Sequence, residues 1–304
     1  QGSLSNRGFE ISLDADVIRS KDFTWNVSGN IGFNSSKIRK LGLPLAFYGN
    51  NQYSAYLGNS IGDHFGVANI FIEGKAPGLF WGYKTDGIIQ KGDDVPQKSE
   101  NKNTIAGSTD PGNIKFVDSN GDGMITEDDK VILGDPNPDF TYGFQTRLTY
   151  KDISLSASFN GVYGNDLLNS NLRYEAMPAK NSSNNIRKEV YANIWRADNP
   201  TNLYPGVNST NPSSAVLDRY IEDGSFLRCS DITLGYTMPK SIVSKIGFEN
   251  INIFASVKNA FIITNYSGYD PEVNTFAFDG LKRGVDMNSF PQSRSYIFGL
   301  SVTF

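Results

Sequence analysis

Seven segments of the chain alternate apolar and polar residues with a period of two: 8–19, 22–34, 140–150, 153–163, 226–237, 250–261 and 294–304. In the last, Tyr296, Phe298, Leu300, Val302 and Phe304 share one face of a strand, and Ser295, Gly299, Ser301 and Thr303 take most of the other. In the first, Phe9, Ile11, Leu13, Ala15 and Val17 oppose Glu10, Ser12, Asp14 and Asp16. Carboxylates repeated along one face suit water and not a protein core. The next three segments keep the division, whereas in 226–237 it holds for Ile232, Leu234 and Tyr236 and is broken near the start by Arg228 and Ser230. At about 3.3 Å per residue and a tilt near 45°, such a strand reaches roughly 25 Å along a membrane normal, the height of an outer-membrane barrel's apolar band. Soluble strands average about 5–6 residues. The pattern predicts an all-β fold: about seven antiparallel meander strands of a transmembrane β-barrel, one face to lipid and one to water.

The connections sort by length. Those at 20–22, 151–152 and 238–249 are short or moderate, whereas 34–139, 164–225 and 262–293 are long. Short periplasmic turns and long extracellular loops are the topology of bacterial outer-membrane barrels. Phe23, Trp25, Tyr150, Tyr236 and Phe304 then gather at the short-turn ends, where an interfacial girdle of aromatic rings belongs. Inside the first long loop, the apolar stretches 67–72 and 79–89 flank a Gly/Pro break at 75–78 and predict a small hairpin. So long a connection without structure of its own would be uncommon.

Composition narrows the choice. The 304 residues are 38% hydrophobic with a net charge of −4, and the mean hydropathy is −0.36. No run approaches the roughly 18 apolar residues of a spanning helix, while a barrel needs lipid-facing residues only at alternate positions. The mild acidity gives no basis for nucleic-acid binding. Cys229 is the single cysteine, which excludes an intrachain disulfide framework and leaves a small side chain on a strand. The first residues show neither the charged nor the apolar region of a signal peptide, so for an exported protein an N-terminal portion is expected to be missing.

The sharpest candidate for chemistry is the run from Asp118 to Asp129. Asp118, Asn120 and Asp122 occupy positions 1, 3 and 5 of a calcium loop, Gly123 the turning position, Met124 a backbone-carbonyl position and Ile125 the apolar eighth. Asp129 stands at position 12 in place of the longer bidentate Glu, which implies weak Ca²⁺ binding; a metal-free Asp/Asn/Gly turn is the alternative. No catalytic constellation emerges, and no enzyme is expected. His64 has no second His or Cys to pair with, and Glu222-Asp223 before Gly224 reads as a turn entering a strand. The aromatic residues Trp81, Tyr83, Tyr174, Trp195, Tyr204, Tyr269, Phe276 and Phe278 stand among Asn, Ser and Asp in the long loops. Packing within the loops and stacking on a polar ligand are both open to them.

Several motifs together resemble the C-terminal part of the SusC/RagA-type TonB-dependent outer-membrane transporters. They run from Phe116-Val-Asp-Ser-Asn-Gly-Asp-Gly through Gly134-Asp-Pro-Asn-Pro-Asp to Tyr220-Ile-Glu-Asp-Gly-Ser-Phe-Leu-Arg228. Asp231-Ile-Thr-Leu-Gly-Tyr-Thr-Met-Pro239, Lys258-Asn-Ala-Phe261, Tyr266-Ser-Gly-Tyr-Asp-Pro-Glu272 and the terminal strand continue them. The resemblance implies a plugged barrel of about 22 strands, with the plug and the element that engages the TonB complex outside this chain. It also implies a SusD-like surface lipoprotein as partner and import of an oligosaccharide or a peptide. Resemblance to outer-membrane proteins in general makes Tyr296, Phe298, Leu300, Val302 and Phe304 a membrane-insertion signal read by the barrel-assembly machinery. Two competitors stand beside this reading: a passive outer-membrane porin, and a secreted calcium-dependent glycan-binding β protein.

Overall fold

The computed structural model describes residues 2–49, 52–62, 65–98, 109–176, 185–210, 215–272 and 274–304. Seven long strands form one antiparallel sheet in chain order: β1 (Ser3–Arg19), β2 (Phe23–Lys40), β3 (Phe140–Tyr150), β4 (Ile153–Tyr163), β5 (Phe226–Thr237), β6 (Asn250–Thr264) and β7 (Ser295–Thr303). Each pairs with the next, so the sheet is a meander with open edges at β1 and β7: a length of barrel wall. Among the described residues no helix is long and apolar enough to cross a membrane.

Pairing carries the two faces of every strand across the whole wall. Leu13 lies beside Gly29, Gly29 beside Phe144 and Phe144 beside Phe159, whose ring it stacks on at 4.4 Å. Farther along, Leu155 neighbours Leu234, Leu234 neighbours Ala255 and Ala255 neighbours Phe298. This apolar face is open: Leu13 is 69% exposed, Leu234 52% and Leu300 65%. A continuous patch of this extent far exceeds what a soluble monomer leaves to water, and lipid is the solvent that suits it. A secreted sandwich would need a second sheet against this face.

Aromatic rings mark both borders of the face. On the long-loop side Phe9 stacks on Phe33 at 4.8 Å, Phe33 meets Phe140 at 5.5 Å and Phe140 stacks on Tyr163 at 5.0 Å. On the short-turn side the pairing places Phe23, Tyr150, Ile153 and Tyr236 in one row. The row continues through Ile253 to Leu300, and Phe304 lies four residues further along the terminal strand, beyond the Asn250–Thr303 pair. From Phe23 to Phe33 the strand covers about 33 Å, which at a tilt near 40° gives about 25 Å along the normal. The two aromatic rows therefore bracket a band of the membrane's apolar thickness.

The break at Arg228 and Ser230 has a local cause. Ser158 pairs with Asp231, but the next residue, Phe159, pairs with Cys229, so Ser230 is an extra residue in β5. Such a bulge inverts the alternation. On its long-loop side Cys229 keeps to the apolar side beside Phe159, while Arg228 turns to the polar side beside Asn160.

The first hairpin exceeds its sequence-predicted bounds. Pairing continues from Gly8–Asn34 to Ser3–Lys40, although Ser3, Ser5, Asn6, Ser35, Ser36 and Lys37 carry no apolar alternation. These residues lie past the aromatic border, where water suits both faces. There Ile38 is buried and its backbone bonds Lys75 and Gly74.

Candidate functional site

The polar face of the wall is knitted by side chains. Asn30 donates to Glu10 (3.2 Å), Asn26 to Asp16 (3.3 Å) and Asp14 (3.5 Å). Lys258 pairs with Asp231 at 2.8 Å, and Asp231 also accepts from Ser256 (2.8 Å) and Thr233 (2.9 Å). One apolar ring interrupts this face: Phe254 covers Gly299, where an added Cβ would stand 2.2 Å from the ring. Ile297, beside Ser256, is a second apolar side chain on it; hydrogen-bonding groups make up most of the rest, with no single residue set apart as a determinant.

Above the long-loop border, the three long connections fold together into a cap. From the first comes a five-stranded sheet in the order Val131–Gly134, Leu79–Gly82, Asn69–Ile72, Tyr53–Leu57 and Ala46–Tyr48. They include the expected hairpin, with Asn69 beside Phe80 and Ile70 beside Leu79. A three-stranded sheet combines Ile221–Asp223, Asp166–Asn169 and Val285–Asp286, from the second and third connections. One core joins all three: Phe80 and Tyr83 from the first, Leu168 and Leu217 from the second, Val285 from the third. Contact is close enough that a Cβ on Gly82 would lie 2.2 Å from the Val216 carbonyl oxygen.

The third connection is also tied to the wall. Arg228 Nη2 meets Asp270 Oδ1 at 2.6 Å and Arg228 Nε meets Glu272 Oε2 at 2.7 Å. Arg228 and Asp270 are both buried. The guanidinium thus presents its Nη2 and Nε donors to two different carboxylates, a planar fit a lysine could not reproduce. Without the bulge at Ser230, this arginine would face lipid.

The loop from Asp118 to Asp129 is organised by its own carboxylates. Asp118 Oδ1 accepts the Gly121 N–H (2.7 Å) and Oδ2 the Gly123 N–H (2.7 Å), while Asp122 Oδ1 accepts the Met124 N–H (2.8 Å). Asp129 is fully buried and accepts from Ser119 N (2.9 Å) and Thr126 N (2.7 Å). Its carboxylate therefore clamps the loop from inside, while Asp118, Asn120 and Asp122 stand at the surface side. Among the described residues no three His, Cys, Asp or Glu side chains converge as a metal group; a cation here would also use the Asn120 side chain and the Met124 carbonyl. Desolvation pushes the Asp118 carboxyl up, but the N–H groups of Gly123, Gly121 and Asp122 outweigh it and hold the group below its ordinary range. Its contribution to loop stability is thus complete above about pH 3.9 and is lost as pH falls through the lower folded value. Desolvation raises the Asp129 carboxyl, and the N–H groups of Thr126, Ser119 and Asn120 only partly offset this. Its linkage has the opposite sign, favouring the folded loop at low pH and losing that share as pH rises through the raised value.

The other sequence candidates fall into place. Trp81 and Tyr83 are buried core, and Trp195 is half-buried with its Nε1–H on Gln90 (3.0 Å). Tyr204 and Phe276 are half-buried, whereas Tyr269 and Phe278 are exposed. His64 and the Tyr174 side chain lie outside the described residues. Glu222 and Asp223 are neighbours on one strand and so point to opposite faces; Glu222 accepts from Ser267 (2.7 Å) and Asn169 (3.0 Å). They do not form the facing carboxylate pair of a glycosidase.

No family model matches the chain. Along its whole length it is similar to a TonB-dependent receptor of Formosa agariphila, 33% identical over 315 residues that make up 29% of that protein. It is likewise similar to the TonB-dependent receptor SusC of Bacteroides thetaiotaomicron, 30% identical over 311 residues and 27% of its length. The chain thus spans less than a third of these relatives. Among solved structures, the RagAB peptide transporter superposes on all of the chain with a TM-score of 0.73 at 22% identity, over 30% of that chain. The closed-closed state of the RagAB peptide importer gives 0.74 at 23% identity, again over 30%.

Proposed function

Because the chain belongs to the SusC/RagA-type TonB-dependent receptors, we propose that it forms barrel wall and outer cap of an energised importer in the outer membrane of a Gram-negative bacterium. The observation that carries this reading is a seven-stranded wall with an open apolar face, a hydrogen-bonding face behind it and a folded cap at one end. Nutrient, an oligosaccharide or a peptide, is gathered at the cap beneath a SusD-like surface lipoprotein. It then moves along the face that carries Glu10, Asp14, Asp16, Arg147 and Lys258, when a plug elsewhere in the protein is remodelled through TonB. Cells expressing the whole protein are expected to accumulate labelled oligosaccharides or peptides only while TonB and the proton-motive force are intact. Accumulation that continues without TonB would make the protein a passive pore.

For the loop at Asp118 we propose Ca²⁺ held by Asp118, Asn120, Asp122 and the Met124 carbonyl, with Asp129 closing the set. Asp129 is fully buried and shorter than the bidentate Glu usual at this position, so its share is small and binding is weak; the ion stiffens the cap. Terbium luminescence of the whole protein should be displaced by Ca²⁺ at roughly 10⁻⁴–10⁻³ M, the range of weak extracellular sites, and should vanish in Asp118→Ala. Luminescence unchanged in Asp118→Ala would leave the run as a metal-free turn.

A further inference from the structure

We propose that a cavity of about 450 Å³ in the cap, lined by Asn171, Glu175, Arg187, Ser267, Gly268 and Tyr269, is a subsite for an uncharged saccharide, with Tyr269 as its stacking platform. This rests on the import reading above and narrows its solute class.

Tyr269 is 72% exposed, yet the backbone on either side of it is fixed. Before it, the Tyr266 hydroxyl donates to buried Asp286 at 2.7 Å and the Ser267 hydroxyl donates to Glu222 at 2.7 Å. Next to it, Asp270 is locked to Arg228 at 2.6 Å. The intervening Gly268 sits against the Tyr266 ring, where a Cβ would come within 2.4 Å. An aromatic ring held outward from a pinned backbone loses little freedom when a ligand stacks on it, and so is preorganised for that contact.

The charges in the cavity select the partner. Arg187 contacts Glu175 at 2.6 Å and faces Glu189 at 3.7 Å, so its positive charge is already met and attracts no anion. With Glu175 and Glu189 against one guanidinium, the cluster carries an excess of negative charge. What lines the cavity besides is amide and hydroxyl chemistry: the exposed Asn185 side chain and the Tyr269 hydroxyl, beside buried Asn171, whose Oδ1 accepts the Asn288 N–H at 2.9 Å, and Ser267, whose hydroxyl is taken by Glu222. An exposed ring beside neutral donors and acceptors fits the C–H face and hydroxyl rim of a sugar. A peptide carboxylate, by contrast, would meet no unpaired cation among the described lining residues.

The test is direct binding to the detergent-purified, full-length receptor, with neutral glucan, mannan, xylan and galactan hexasaccharides as probes and a mixture of tri- to pentapeptides beside them. At least one glycan is expected to bind, about tenfold more weakly in Tyr269→Ala and within about twofold of wild type in Tyr269→Trp. Unchanged glycan affinity in Tyr269→Ala, binding of none of the glycans, or binding of the peptides alone would overturn the proposal. TonB-dependent uptake is measured separately in the same variants. Loss of TonB dependence with glycan binding intact removes the import reading and spares the subsite, and retained TonB dependence with Tyr269 irrelevant to binding does the reverse.

Discussion

Arg228→Met is expected to release the third long connection from the barrel wall. Removing the guanidinium leaves Asp270, 3% exposed, as a buried carboxylate without its cation, next to Glu272. Breaking one side of such a pair costs about 3–5 kcal/mol, most of it from the charge left behind and not from the attraction lost. A local opening of that size should appear as faster hydrogen exchange over 265–294 in the full-length receptor, with the exchange of β1 to β4 unchanged. Arg228→Met with Asp270→Leu and Glu272→Gln together should recover much of the protection, because the burial penalty goes with the carboxylates. Wild-type exchange over 265–294 in the single variant would show that the cap core, and not this ion pair, holds the connection down. Since residues 267–269 lie in that segment, the same variant is expected to weaken any ligand contact that depends on their placement.

How far the sequence shows this arrangement depends on the range of the interaction. Period-two alternation is local, and in 140–150 and 153–163 it marks the strands to the residue, because both ends coincide with the edge of the lipid band. It fails wherever that band stops. Residues 3–7 and 35–40 are paired but alternate in nothing, and only the ladder to their partners makes them strand. Arg228 looks like a defect in β5 until the bulge at Ser230 is placed, and a bulge is a property of two strands. The aromatic row at the long-loop border was equally hidden: Phe9, Phe33, Phe140 and Tyr163 are scattered in sequence and share a level only through register. Tyr83 stands in the first long connection, yet the cap core that buries it draws on Leu217 and Val285, more than a hundred positions away, whereas Trp81 packs with Ala55, Ile70 and Leu79 of its own connection. The Asp118 loop was legible because its spacing carries its own hydrogen bonds. The role of Asp129 as an internal clamp was not, since it depends on burial.

The assignment of faces to the wall predicts opposite fates for two adjacent residues. Leu13 lies on the apolar face near mid-height between the aromatic rows, beside Gly29, and is 69% exposed. Ser12, one position earlier, lies on the polar face beside Asn30. An arginine at the lipid-facing midplane of a barrel costs about 2–4 kcal/mol, whereas lumen-facing substitutions carry no such penalty. Leu13→Arg should therefore lower the guanidinium concentration at which the full-length receptor unfolds from lipid vesicles, and Ser12→Arg should leave it nearly unchanged, its new charge lying on the strand between Glu10 and Asp14. Leu13 is a cleaner probe than Phe144: removing Phe144 also removes its 4.4 Å stack on Phe159, so loss of packing would mix with the cost of the charge. Equal destabilisation by both arginines would mean that both faces of β1 are buried in protein. A penalty confined to Ser12→Arg would mean that the wall is turned inside out. The predicted asymmetry is the one outcome in which the side carrying Glu10, Asp14 and Asp16 faces water and is open to a passing solute.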